Sequence, residues 1–346
     1  MNNSTISNGT NTNCEFIEQL LLMPFYRILT WAQLLIVFAI FGCISALIFF
    51  YLRSKITIHG NFMILFANIV FIHLINAFFW GASIVRYKFL TYTYSSNCEL
   101  LTPVWLAFLL GSPSYIYLVA YSGIHFSIMA ERFRATVFVR NYENERFTFG
   151  SICALISWSV SFVYMFCVIF TALMDTGAFS KPLGLISLTS KSYNAQGIVC
   201  SYYAILALLI ITAIGDVWVM RINKRLRNRV SDYWSYSVST NYQVKENLTV
   251  MRLVLPLDIS YAILFGIYLL IGIILRRFRV EMSEINYVAF YNTAVTLLLL
   301  HSAVTLAIYI QFVKLASANS RRRELRVEPT AKLTEEYFKQ LTNQWK

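Results

Sequence analysis

Charge is scarce in this chain. Of its 346 residues only 13% are Asp, Glu, Lys or Arg, roughly half the share of a soluble domain. So few charged side chains cannot cover a water-facing globule, which excludes an ordinary cytosolic enzyme. A disordered chain is excluded as well, because 58% of the residues are hydrophobic. Cysteine is sparse too: six residues are too few for a cystine-stapled secreted mini-domain. The usual signatures of catalysis are missing. No His pair stands at metal-ligand spacing with a Glu, and no Gly-rich stretch ends in Gly-Lys-Ser/Thr. No pair of buried carboxylates is expected to offer acid–base work. The chain reads as neither an enzyme nor a cofactor or metal protein. No stretch alternates in the manner of a barrel strand.

What is present is length in apolar runs. A spanning helix needs about 20 mostly apolar residues, and seven such runs occur, at 28–52, 61–84, 101–129, 149–173, 198–220, 252–275 and 287–313. Each satisfies its own backbone in lipid only as a helix. The fold class is therefore an all-α membrane protein, a seven-helix bundle. Lys and Arg set its orientation. With the N-terminus outside, 21 basic residues fall on inner segments and 8 on outer ones, so the reading is N-terminus out, C-terminus in. The net charge of +12 is then a membrane-facing collar and not a nucleic-acid footprint. The expected organisation is an extracellular glycosylated segment over 1–27, a transmembrane domain over 28–313 and a cytoplasmic tail over 314–346. Asn2, Asn3 and Asn8 each head a glycosylation sequon, in keeping with an outer N-terminus. Nothing in the first 27 residues resembles a signal peptide.

Cys43, Cys153 and Cys167 lie within spans and suit packing. Cys14, Cys98 and Cys200 fall at the outer side, where disulfides persist. Three pairings are open. Cys98–Cys200 is favoured, because it pins the second outer loop across the mouth of the bundle.

Ionisable groups inside lipid are functional hypotheses by default. Here they are His73, His125, Asp216, Asp258 and His301. At about 1.5 Å per residue, His125 lies about 7 Å and Asp258 about 9 Å from the inner ends of their spans. That match points to a contact joining the inner ends of the third and sixth helices, a switch candidate. Asp216, near Arg221, reads as interfacial. His73 and His301 match at about 18 Å depth and read as bundle glue. Gly111, Pro113 and Gly123 interrupt the third span and Pro256 the sixth, permitting kinks. Thr240 and Gln243 form a capping-box start for a sixth helix that projects inward. Five basic residues from Arg221 to Arg229 extend the fifth. Together these outline an inner cleft for a partner.

The most specific residues lie at the inner ends. The third span closes on MAERFRATVFVRNYE, and its Glu131-Arg132 resembles the acidic–Arg pair of rhodopsin-like receptors. With Ala135-Thr136 and Tyr142-Glu143, the string is more similar to the nematode serpentine chemoreceptors of the alpha/beta superfamily (class alpha, beta or alpha/beta). Tyr242-Gln243, Glu246-Asn247 and His59-Gly60-Asn61 are further matches. The chain departs from rhodopsin-like receptors at Asn68, where an Asp is expected. It also lacks Cys-Trp-x-Pro in the sixth span and Asn-Pro-x-x-Tyr in the seventh. The resemblance implies a G-protein-coupled receptor for environmental chemicals, located in the plasma membrane of sensory cilia. Its implied partners are a small-molecule ligand and a heterotrimeric G protein. Glu131 and Arg132 are then the coupling pair: Arg132, permanently charged with a fork of donors, is freed when the inner ends separate.

The ligand candidates are aromatics in the outer half, Trp105, Phe108, Phe265, Tyr268, Tyr287 and Tyr291, with Asn292 as a polar contact. No acidic residue sits there to hold an amine, which favours a neutral or apolar odorant or a lipid-like pheromone. Arg321-Arg322-Arg323 suits anionic membrane lipid. Leu333, Tyr337 and Leu341 mark a short amphipathic helix in the tail, and dimerisation is left open. The competing readings are a seven-helix ligand-gated ion channel with its N-terminus inside, and a membrane carrier.

Overall fold

The computed structural model describes residues 4–54, 59–138, 142, 147–190, 192–232, 238–279 and 281–344; side chains are described over 13–228 and 244–318 of these. The long helices are α1 (Ser4–Leu22), α2 (Pro24–Arg53), α3 (Gly60–Thr93), α4 (Val104–Val137), α5 (Thr148–Leu173), α6 (Ala195–Asp232), α7 (Val238–Ser260), α8 (Gly266–Arg277) and α9 (Glu284–Gln344), with a single helical turn at Thr176–Phe179 between α5 and α6. A π-helical turn, Tyr261–Phe265, joins α7 to α8. Seven apolar helical segments are long enough to cross a bilayer. They are α2 to α6, the α7–α8 unit, and α9 as far as Ala318. Among the described residues there is no strand, only one isolated backbone bridge.

The spans close a ring in which α2 meets both α3 and α9, with α4 at the centre against α3, α5, α6 and α7. Their outward faces are apolar and exposed, as at Leu35, Phe38, Leu155 and Ile214. A soluble protein would bury such side chains; in lipid this is the relaxed arrangement. Close approaches depend on small residues. A Cβ on Gly150 would lie 2.5 Å from the Asn61 carbonyl oxygen, and the Gly150 N–H donates to Asn61 Oδ1 at 3.0 Å. Gly150→Ala therefore forces two helix backbones apart. We expect it to cost about 1–3 kcal/mol, the usual penalty of overpacking, read as a lower Tm of the full chain in lipid nanodiscs.

The observed helices run past the apolar windows. The third span ends at Val137 and not near 129, because Glu131, Arg132 and Thr136 are buried by neighbouring helices. The fifth helix continues through the basic stretch to Asp232. The sixth begins at Val238, and the side chains of Thr240 and Gln243 lie outside the described residues. The seventh continues without a break to Gln344, so residues 333–341 belong to that helix; the side chains of that stretch, and of Arg321 to Arg323, lie outside the described residues.

The N-terminal segment packs against the bundle. On α1, Cys14, Ile17, Leu20 and Leu21 are buried against Tyr26, Tyr87 and Leu100. The disulfide is Cys14–Cys98, not Cys98–Cys200. Cys200 is free and exposed on the outer face of α6, whereas α1 lies along the short helical turn Asn97–Leu100 that carries Cys98. The loop between α5 and α6 still covers this end of the bundle. Its anchor is main chain: Thr102 and Leu183 exchange N–H···O bonds of 2.7 and 2.8 Å. Arg86 Nη1 and the Tyr87 hydroxyl hold the Thr102 hydroxyl at 2.9 and 2.8 Å. Beyond the bridge, Asn194 Nδ2 donates to the Leu188 carbonyl at 2.8 Å.

Candidate functional site

Two polar centres lie at opposite ends of α4. At the end away from the disulfide, Arg132 is fully buried. Its Nε and Nη2 donate to both oxygens of the Glu131 carboxylate. Nη1 donates to Asn247 Oδ1 on α7 at 2.9 Å, and Nη2 also reaches the Tyr142 hydroxyl at 3.1 Å. Tyr142 in turn donates to Glu131. The His59 ring lies 4.1 Å from that of Tyr142, and the His59 N–H donates to Glu246 Oε1 on α7 at 2.8 Å. A branch runs to α6, where Asn223 Nδ2 donates to Thr136 Oγ1 at 2.7 Å. Three short motifs far apart in the chain thus converge on one guanidinium. A buried charge survives only with such pairing, and removal of one partner costs about 3–5 kcal/mol. Of Tyr142-Glu143 and Tyr242-Gln243, Glu143 and the side chains of Tyr242 and Gln243 lie outside the described residues.

One turn or two toward the middle, His125 Nδ1 stands 3.2 Å from Asp258 Oδ1, so the two depth-matched groups meet. Asp216 is wholly buried and is an electrostatic neighbour of both. It is no interfacial residue, and the expectation of no buried carboxylate pair is corrected: α6 and α7 each bring one to this level. Above them runs an aromatic column. The His125 ring stacks on Tyr261 at 4.7 Å. Tyr121 lies 5.2 Å from Tyr261, His73 and His301 alike. The His73 and His301 rings, also matched by depth, are 6.2 Å apart. The Tyr261 hydroxyl donates to Ser122 at 2.8 Å.

At the disulfide end the bundle encloses a cavity of about 140 Å³. Tyr115, Tyr202, Tyr268, Tyr287, Tyr291, Trp80 and Gln33 contribute to its wall, and Leu185 to Thr189 of the α5–α6 loop roof it. Gln33 braces the wall. Its Nε2 donates to the Asn292 carbonyl and to Thr296 Oγ1, both at 2.9 Å, and its Oε1 accepts from Trp80 at 3.3 Å. Of the aromatics expected there, Tyr268, Tyr287, Tyr291 and the amide of Asn292 do line the cavity. The others do not. Trp105 is 67% exposed on the outward face of α4, Phe108 packs on Phe179 at 5.7 Å, and Phe265 belongs to the aromatic column below. The cavity residues that sequence reasoning missed include Gln33, Trp80, Tyr115, Tyr202 and Arg276. Gln33 carried a legible signal, a lone amide amid an apolar span.

Hollow at one end, charge-locked at the other and apolar outside, the molecule is a seven-helix, multi-pass membrane protein of receptor type. Residues 11–346 match the serpentine type 7TM GPCR receptor class ab chemoreceptors, and the chain belongs to that family. It is similar to serpentine receptor class alpha-39 of Caenorhabditis elegans, 25% identical over 184 residues, 53% of this chain and 47% of that protein. It is likewise similar to serpentine receptor class beta-6 of the same organism, 24% identical over 151 residues, 43% of this chain and 41% of that protein. The chain thus spans under half the length of these relatives, which are named as receptors and not as enzymes.

Proposed function

We propose that the protein is a chemosensory receptor that takes a small molecule into the cavity and activates a heterotrimeric G protein at the Arg132 end. The observation that carries this reading is the convergence of Phe62 on α3, Glu131 on α4, Tyr142 and Asn247 on α7 around a single buried Arg132 at the end remote from the cavity. A ligand touching Tyr268, Tyr291 and Tyr115 bears on α8, α9 and α4. The Tyr121–Tyr261–His301 column links those helices down to the lock. Relative movement of α7 against α4 breaks the Arg132–Asn247 bond and frees the guanidinium for a partner's carbonyls. In this reading the disulfide end faces outside, in agreement with the Lys and Arg count and with sequons at Asn2, Asn3 and Asn8. The host membrane is then the plasma membrane, with the extension of α9 beyond Ala318 in the cytoplasm.

The test is a G-protein dissociation assay in heterologous cells exposed to an odorant panel, with Arg132→Gln at matched surface level. The wild type should respond to an active odorant and the variant should respond at least tenfold less. A full response from Arg132→Gln sinks the coupling assignment. Glycosidase-sensitive sugar at Asn2, Asn3 or Asn8 is expected, and an N-terminus protected inside the cell would reverse the orientation.

A further inference from the structure

Among the charged groups lining the cavity, Arg27, Lys88 and Arg276 are all basic, and no Asp or Glu is among the lining residues. Lys88 reaches the Arg27 carbonyl at 3.3 Å and lies 4.8 Å over the Trp31 ring, near the rim. Arg276 is different. Its Nε and Nη1 are buried and have no hydrogen-bond partner among the described residues, and its guanidinium carbon sits 4.6 Å over the Tyr202 ring. The placement is built. A Cβ on Gly272 would lie 2.6 Å from Tyr202 Cε2, so only glycine lets that ring lie flat against α8 one turn below Arg276. Tyr202 is held there by its hydroxyl, 3.1 Å from that of Tyr268. Two buried guanidinium donors left open are a strong demand for an anion, and the described residues supply none at this point.

We propose that the cavity binds an organic acid, its carboxylate engaging Arg276 and its apolar body lying among Tyr115, Tyr268 and Tyr291. A guanidinium holds a carboxylate in two parallel bonds when Nη2 acts together with either Nε or Nη1, the two buried open donors. The phenol hydroxyls of Tyr202 and Tyr268 flank the same point. The aromatic remainder of the wall excludes water and suits a hydrocarbon or aryl body. Roof residues Ile186 and Leu188 shut the acid away from solvent, where the charge pair gains strength. This replaces the expectation of a neutral or apolar odorant with an acidic one. It rests on the cavity being the receptor's ligand site.

The experiment uses the full chain in zwitterionic lipid nanodiscs, with empty discs as the partition control. The probes are octanoate, phenylacetate and indole-3-acetate, each beside its methyl ester. Saturable binding is read by thermal stabilisation and radioligand uptake. At least one acid should bind about 10- to 100-fold more tightly than its ester, the range for hydrogen bonds to a charged group. Arg276→Gln should erase that preference while Arg276→Lys keeps part of it, and Ser114→Phe, which fills the cavity, should abolish binding of acid and ester alike. If acids and esters bind equally and Ser114→Phe stops both, the cavity is the ligand site but the acid class is wrong. An acid preference surviving Arg276→Gln overturns the proposal, as does failure of every acid to bind. Binding undiminished in Ser114→Phe overturns the cavity itself as the site. Displacement of the acids by phosphatidylserine added to the discs would assign Arg276 to a lipid headgroup and likewise overturn it.

Discussion

Replacing Asn247 by Leu is expected to raise ligand-independent signalling about tenfold or more. Asn247 Oδ1 supplies the hydrogen bond by which α7 holds the Arg132 guanidinium. A bond to a charged group is worth about 1.5–3 kcal/mol, and a 1.4 kcal/mol shift moves a two-state equilibrium tenfold. Leu has the same branched heavy-atom skeleton as Asn and brings no hydrogen-bonding group, so it fills this buried position without a new partner. The Asn247 amide nitrogen has no partner among the described residues, so nothing else is lost. The Glu131–Arg132 pair stays intact, which keeps the buried charge compensated and the fold standing. The locked arrangement alone is weakened. The measurement is basal nucleotide exchange on a co-expressed G protein at matched surface expression. Basal exchange equal to wild type would falsify the lock.

Cys14→Ser and Cys98→Ser should each lower stability by about 4.5 kcal/mol, while Cys200→Ser should change nothing. The bridge closes a separation of 84 residues, and in the chain-entropy account a loop of that size is worth roughly that amount. Cys200 is free and faces outward, so its thiol has no structural partner to lose. Thermal unfolding of the full chain in nanodiscs, with peptide mapping under non-reducing conditions, separates the cases. A peptide joining Cys98 to Cys200 would overturn the pairing.

The seven crossings were legible because length and apolarity are one-dimensional properties that the bilayer reads directly. Depth was legible for the same reason. A fixed rise per residue put His125 level with Asp258 and His73 level with His301, and both pairs are neighbours. Azimuth was not legible. Trp105 shares its level with cavity residues yet faces outward, because the phase of a helix that is apolar all round leaves little periodic trace. The disulfide failed on the same ground: Cys14 and Cys200 sit near the same end, and only the turn of α6 shows that Cys200 points away. Near the N-terminus the polar run from Met1 to Asn13 hid a helix whose second half carries Ile17, Leu20 and Leu21. Arg276 was counted as a topology charge, and nothing local in the chain marks it as turned inward. The convergence on Arg132 was legible only as three separate strings. That they meet is a property of the bundle.

The roof over the cavity is fastened by two amide–carbonyl bonds between Thr102 and Leu183. Such a clasp asks little of the side chain at position 183. The neighbouring stretch from Leu185 to Thr189, which roofs the cavity, can therefore exchange side chains other than the fully buried Leu188 without unfastening. If the cavity is the ligand site, as proposed, substitutions along this roof retune the receptor to a new chemical while its seven-helix frame, and the guanidinium cluster at the far end, stay as they are.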